Sequence, residues 1–456
     1  MSRHHEFRVT GRSTMACLAG LMLLGGLGSQ WRTSADDVSS KRDLQAEVRS
    51  RLTDLDANQR TRRQQAEKEL LDLGPAILGL LPPPELLPNQ EVRAAVARIR
   101  VLLERRKAQE SVQATLVAIP SKKLTLGEWL KQIESQSANP LDVSAIPAEV
   151  LQSHIAHAAQ PTPFWKLLDE TLKEKHLRYR LAADSSVLKL VPATDRNADA
   201  PWSVTAAGPF RVAVEWVRPR RVTGDDQTQR LRTELAVTPE PRLRALFLKL
   251  AARDFQATGP GGKIFPAADA AAQYDLPLGE GGRHVRWNLD FAAPGGLTDA
   301  DLFPLKIEGR AAMQIAAGSE HIRFTDLVAG EGTARRRGGV TVTVQKIMVK
   351  KLENGTQSVS IKVLVVYDSG GPAFESHRTW IFHNQVYLDR HAGEPVALNG
   401  GFDTNLQANG SVGVTYRFEG LTGALQDYQF VYVAPTLIVD VPFEFRLNGV
   451  RPPIPE

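Results

Sequence analysis

Val340–Asp368 reads VTVTVQKIMVKKLENGTQSVSIKVLVVYD. Valine, isoleucine and threonine alternate with polar residues on both sides of Glu353-Asn354-Gly355. A period of two places one set of side chains on each face of a strand. Asn-Gly between two such runs is a hairpin turn, because both residues accept positive φ. The stretch therefore predicts an antiparallel hairpin, and its neighbours extend the pattern. Thr379–Leu388, Val412–Phe418, Tyr428–Ala434 and Leu437–Phe445 read as further strands. Pro442 lacks a backbone N–H, so the last of these is expected at an edge or a bulge.

Upstream, Glu331–Gly339 (EGTARRRGG) has the composition of a linker, and Arg335–Arg337 reads as a solvated hinge. Before it, Phe210–Val217, Leu231–Val237, Arg244–Leu250, Val285–Phe291, Leu305–Ala311 and Ile322–Leu327 are strands. Turns such as Gly259–Gly262 and Gly279–Gly282 separate them. Two antiparallel β-sandwich-like domains are expected, residues 201–330 and 340–456.

Asp43–Lys107 changes period. Leu44, Val48, Leu52 and Leu55 lie on one helix face, and Val92, Val96, Ile99 and Leu103 on another. Gly74-Pro75 and Pro82–Pro84 break the run. RRQQAEKELLDLGPAILGLL and NQEVRAAVARIRVLLER resemble HEAT-type helical repeats, with about one and a half units, short of the three or so that hold up a solenoid. Residues 41–110 are expected as a short helical module.

Residues 112–192 alternate between strand and helix patterns. Thr125 and Glu128 make a capping box ahead of Trp129, Leu130 and Ile133. Thr162-Pro163 reads as N-cap and N1 of a second helix. Leu177–Leu181 and Val187–Val191 read as a hairpin around Ala183-Asp184-Ser185. LTLGEWLKQIESQSANPLDV, HIAHAAQPTPFWKLLDETLKEKHLRYRL and SSVLKLVPA resemble the short N-terminal domain of secretins and TonB-dependent receptors. The match includes Leu168, Leu172, Leu177 and Tyr179. The resemblance implies a small βαββαβ-type domain that contacts other envelope proteins, without the pore or receptor that follows it in those families. The fold class expected for the whole chain is thus multi-domain α+β.

The N-terminus carries Arg3, Arg8 and Arg12, then an apolar run from Met15 to Leu27, then Thr33-Ser34-Ala35. That is the pattern of a secretory signal peptide over residues 1–35. It predicts export to the periplasm or cell envelope, with no membrane association beyond this segment. The order of parts, closing on VPFEFRLNGVRPP, is similar to that of secreted proteins of planctomycete-type bacteria.

The 456 residues carry a formal charge of +5, 42% hydrophobic and 23% charged residues, and one cysteine, Cys17. This is globular composition. A charge of +5 over such a length does not point to nucleic acid, and the folded part has no thiol chemistry.

The densest polar set is Glu375–Trp380 with His383, Asp389 and His391. Glu375, His377 and His383 are the residues that zinc or copper would accept, although no fixed ligand spacing supports a site. His154 and His157 have opposite strand parity. No nucleophile-elbow or phosphate-loop motif is present. No catalytic residue and no cofactor are expected. Trp202, Trp216, Trp287 and Trp380 fall in or beside strands, either filling cores or stacking on sugars. The leading expectation is a non-enzymatic scaffold binding an envelope protein through its α/β module. Binding of cell-wall polysaccharide by the β domains and a metal-dependent hydrolase around His377 are the alternatives.

Overall fold

The computed structural model describes residues 30–120, 123–155, 159–181, 187–193, 203–279, 283–367, 381, 384–390, 393–408 and 411–452. The expected signal segment through residue 29 lies outside them, as do Glu375, His377, His383, His391, His157, Trp202 and Trp380. The chain is mixed α+β, and its C-terminal region is mostly strand in antiparallel sheets. It divides into two compact units, residues 1–104 and 105–456. No helix among the described residues is long and apolar enough to cross a membrane.

In the first unit, α1 (Gln30–Asp54) and α2 (Arg60–Asp72) are followed by 3₁₀ turns at Pro75–Gly79 and Pro84–Leu86. Helix α3 (Gln90–Ser111) then begins. Val48, Leu55, Leu70, Ile77, Val96, Ile99 and Leu103 form the core. Ile77 comes from the first 3₁₀ turn, and the others are positions at which the helical period places apolar side chains on one face.

The second unit opens with an α/β module. Its elements are β1 (Leu116–Ile119), β2 (Leu124–Thr125), α4 (Leu126–Ser137), β3 (Leu141–Asp142), α5 (Ala148–Leu151), β4 (His154–Ile155), β5 (Ala159–Pro163), α6 (Phe164–Glu174), β6 (Leu177–Leu181) and β7 (Leu188–Pro192). The Thr125–Glu128 capping box forms as read from the sequence. The second helix differs: Pro163 occupies the N-cap, and the Thr162 hydroxyl donates to the Gln160 carbonyl instead. Helix α6 is buried over six of its eleven residues, Phe164, Trp165, Leu167, Leu168, Thr171 and Leu172. One side of it meets α4 within the module and another approaches the β body.

The β body begins with β8 (Ser203–Ala207), β9 (Phe210–Val222), β10 (Asp225–Pro239), β11 (Arg244–Thr258), β12 (Ile264–Pro266), β13 (Gln273–Pro277) and β14 (Val285–Pro294). Helix α7 (Asp299–Leu302) and the long β15 (Leu305–Phe324) follow. Then come β16 (Ala334–Arg337), β17 (Val340–Lys351), β18 (Gln357–Tyr367), β19 (Val386–Arg390), β20 (Val396–Ala397), β21 (Phe402–Ala408), β22 (Ser411–Leu421) and β23 (Tyr428–Val450). Among the described residues they form three larger sheets. One runs β14-β10-β9-β8. The second runs β12-β11-β15-β23-β19-β20, with β13 also on β11. The third runs β16-β17-β18-β22-β21.

The hairpin around Asn354-Gly355 is present: β17 and β18 pair antiparallel from Val340↔Tyr367 to Lys351↔Gln357. Two other expectations need correction. Glu331–Gly339 is not a bare linker, because Ala334–Arg337 pairs with Val340–Thr343 as a strand. The split into domains 201–330 and 340–456 also fails at the sheet level. β15 and β23, one from each side of that boundary, pair antiparallel from Leu305↔Val450 to Phe324↔Phe430. Each strand serves two cores. Ile307, Met313 and Ile315 of β15 pack with Phe443 and Phe445 of β23 in a core shared with the four-stranded sheet. Ile322 and Phe324 pack with Phe430 and Tyr432 in a core shared with the five-stranded sheet. The change of core falls near Gly318 and Leu437, where Leu437 takes φ 50°. Along Pro442, β23 is paired to β15 at Ala312, while β19 reaches only Tyr428–Tyr432. This one-sided pairing suits a residue with no N–H to donate.

Candidate functional site

The polar chemistry described in the second unit gathers at two buried places. The first joins the α/β module to the β body. Pro239 ends β10, and the chain turns through Glu240-Pro241-Arg242 into β11. The Glu240 carboxylate is 1% exposed. It accepts from the Thr115 backbone N–H at 2.9 Å, the Thr115 hydroxyl at 2.8 Å and Asn139 Nδ2 at 3.3 Å. Arg242 Nε donates to it at 2.7 Å. The remaining Arg242 donors go to the Ser111 and Gln113 carbonyls, and its backbone N–H goes to Asn139 Oδ1. Asn139 is delivered by the end of α4, where Ala138 takes the left-handed conformation as C-cap. A buried carboxylate with four donors around it has its lone pairs satisfied, the condition for a buried charge to persist.

About this node, a second pair ties helix α6 to strand β9. Asp169 accepts from Arg211 Nε at 2.9 and 3.0 Å, and Arg211 Nη1 reaches the Tyr179 hydroxyl at 3.1 Å. Tyr179 packs on Trp165 with ring centroids 5.5 Å apart. Burial raises the Tyr179 phenol above its ordinary range, so it stays neutral against the guanidinium.

The second place lies between the seven- and five-stranded sheets. Arg244 of β11 donates to Asn384 Oδ1 at 2.6 Å, and Asn384 Nδ2 donates to the Tyr432 hydroxyl at 2.6 Å. Tyr416 packs on Tyr432 with centroids 6.4 Å apart. Burial pushes the Tyr432 phenol up to about 12 and raises those of Tyr367 and Tyr416 well above the ordinary phenol range. Burial also works against the charge on Arg244. Neutral phenols, an amide and a guanidinium can donate hydrogen bonds and hold two sheets in register. None of these groups is placed to take a proton near neutral pH.

No protein-family model matches the chain, and no curated protein is similar to it.

Glu375, His377 and His383 lie outside the described residues, and the described residues hold no group of three potential metal ligands. His154 is exposed in β4. Trp287 is 5% exposed and belongs to a core, so it offers no sugar platform. Trp216 is half-buried, with the Arg218 guanidinium 5.5 Å from its ring. Glu444 points outward and pairs with Arg310 across the strands at 2.7 Å. The sequence reading missed Glu240 and Arg242. Their only local signal is an acid and a base flanking a proline in a turn. Their partners lie more than 100 positions away.

Proposed function

We propose that the protein is an exported, non-enzymatic scaffold of the cell envelope that binds a protein partner through its α/β module. The observation that supports this is the double lock on that module. Glu240 with Arg242, and Asp169 with Arg211, hold it against the β body through buried, charge-assisted hydrogen bonds. A surface held in one orientation loses less entropy when a partner docks. The side of α4 that carries Lys131, Gln132, Ser135 and Gln136 stays exposed, and it is the face we assign to the partner.

A photo-crosslinking residue at Ser135 tests the reading in cells. The expected result is one dominant crosslinked protein, identified by mass spectrometry and lost when Lys131 and Gln132 are both changed to Glu. Recovery of no reproducible protein from Ser135, with the chain exported and folded, would remove the proposal.

A further inference from the structure

The outer face of the four-stranded sheet carries two rows of directly opposed arginines. In the register of β9 and β10, Arg220 faces Arg230 and Arg218 faces Arg232. Their strand neighbours Leu231, Thr233 and Val217 are buried beneath, so the arginines stand on the solvent side. Arg218, Arg220 and Arg230 are exposed. Like charges directly opposite across a strand pair repel, yet here the arrangement occurs twice in succession. Asp290 of β14 forms ion pairs with two of the arginines and is shared. It lies 3.7 Å from Arg230 and 3.9 Å from Arg232, beyond hydrogen-bond length, with its Oδ1 buried and without a hydrogen-bond partner. Trp216 is next to Arg218 on the same face, and the Arg218 guanidinium lies over one side of its indole, 5.5 Å from the centroid.

The same face shows what such an arginine takes. At its other end Arg211 Nε donates to both oxygens of the Asp169 carboxylate. The open end repeats the donor four times over, and among the described residues Asp290 is the one carboxylate that its arginines reach within 4 Å, at no better than 3.7 Å. We infer that this end is a binding surface for a linear anionic polysaccharide, its carboxylate or sulfate groups seated in the guanidinium forks and a sugar ring laid on Trp216. Guanidinium is the side chain that matches planar and tetrahedral oxyanions with two parallel hydrogen bonds. Successive rows stand about 7 Å apart along the strands, so the face suits a repeating charge rather than one small ion. An indole gives a ring an apolar platform with a polar edge. The choice of a sugar polymer over nucleic acid rests on the export reading. The surface itself is independent of the protein partner proposed for α4.

The test uses the purified full chain, with polygalacturonate and dextran sulfate as probes, neutral dextran as control, and duplex DNA and anionic phospholipid vesicles as competitors. Binding is followed by affinity electrophoresis and by tryptophan fluorescence. The expected result is salt-sensitive binding to the two anionic polysaccharides and none to dextran. Arg220→Gln with Arg230→Gln should weaken it about tenfold or more, the scale of two lost charge-assisted contacts. Arg→Lys at the same positions should restore less than half of the loss in binding free energy, because lysine keeps charge but not the fork. An unchanged melting temperature in both variants shows that folding is not the cause. Absence of binding to either anionic polysaccharide, binding indifferent to the variants, or tighter binding to DNA or vesicles would each overturn the assignment. Retained polysaccharide binding by a chain that proves not to be exported would uphold the surface and remove only the export reading.

Discussion

Glu240 shows how one side chain sets a domain junction. Removing it takes the acceptor from the half-buried Thr115 N–H and Arg242 Nε, while Arg242 keeps the Ser111 and Gln113 carbonyls. Losing hydrogen bonds to a buried carboxylate costs about 1.5–3 kcal/mol. Glu240→Ala should therefore lower the urea midpoint by that equivalent, and a loss below about 1 kcal/mol would contradict the account. His284 makes a pH prediction. Burial, and secondly the Arg286 charge, lower its pKa, and its Nδ1 is buried without a partner. The unfolded chain then takes up the proton first. Stability from the neutral imidazole is full above the ordinary histidine value of about 6.5 and falls as pH drops through the lowered folded value. Melting temperatures between neutral and mildly acidic pH should decline in the native chain, and less steeply in His284→Gln. The tyrosines add a third test. Tyr367, Tyr416 and Tyr432 should stay protonated at about pH 11, where exposed phenols ionise. Phenolate absorbance for all seven tyrosines before alkaline unfolding would contradict the buried centre.

At the scale of elements, local signals and long strands behave differently. The capping box at Thr125 and the Asn-Gly hairpin at Asn354 were legible because both are made by residues a few positions apart. The N-cap at Thr162 was misread by one residue, since Pro163 can occupy the cap and leave the hydroxyl to the strand before it. The pair β15–β23 was read as four short strands. Its alternation changes phase where the ribbon passes from one core to the other, which imitates a strand end. Leu437 at that passage holds φ 50° with its side chain 45% exposed. Leu437→Gly should stabilise the protein by about 1 kcal/mol, because glycine takes that conformation without Cβ strain. Gly309 predicts the opposite. A Cβ there would stand 2.6 Å from the Phe255 ring and 2.8 Å from that of Phe445. Gly309→Ala should cost about 1–3 kcal/mol by overpacking, read as a lower thermal midpoint.

The whole molecule adds a constraint that no single element carries. Both cores of the β body draw on β15 and β23, so cutting at residues 331–339 strands one side of each. Residues 201–330 and 340–456 expressed separately should each lack a cooperative thermal transition, and mixing the two should restore one. A cooperative transition in either piece alone would mean that its core closes without the shared ribbon. The double lock on the α/β module belongs to the same scale. Glu240 and Arg211 sit on β-body segments, and their partners Thr115, Asn139 and Asp169 sit in the module.

Periodicity by itself determined the classes of element in this protein: helices before residue 111, mixed elements to 192, and strands beyond. It did so because the side chain's face is set by the residue's own place in a helix or strand. It also placed the apolar residues that became the cores, such as Val359, Ile361 and Val363 of the first hairpin. Only the tertiary structure decided which strands pair across the 331–339 segment, which acid meets Arg211, and that Arg218 and Arg220 face Arg232 and Arg230. Those outcomes depend on register between distant segments, and a shift of one residue would turn each side chain to the other face. Nothing local in the sequence carries that information.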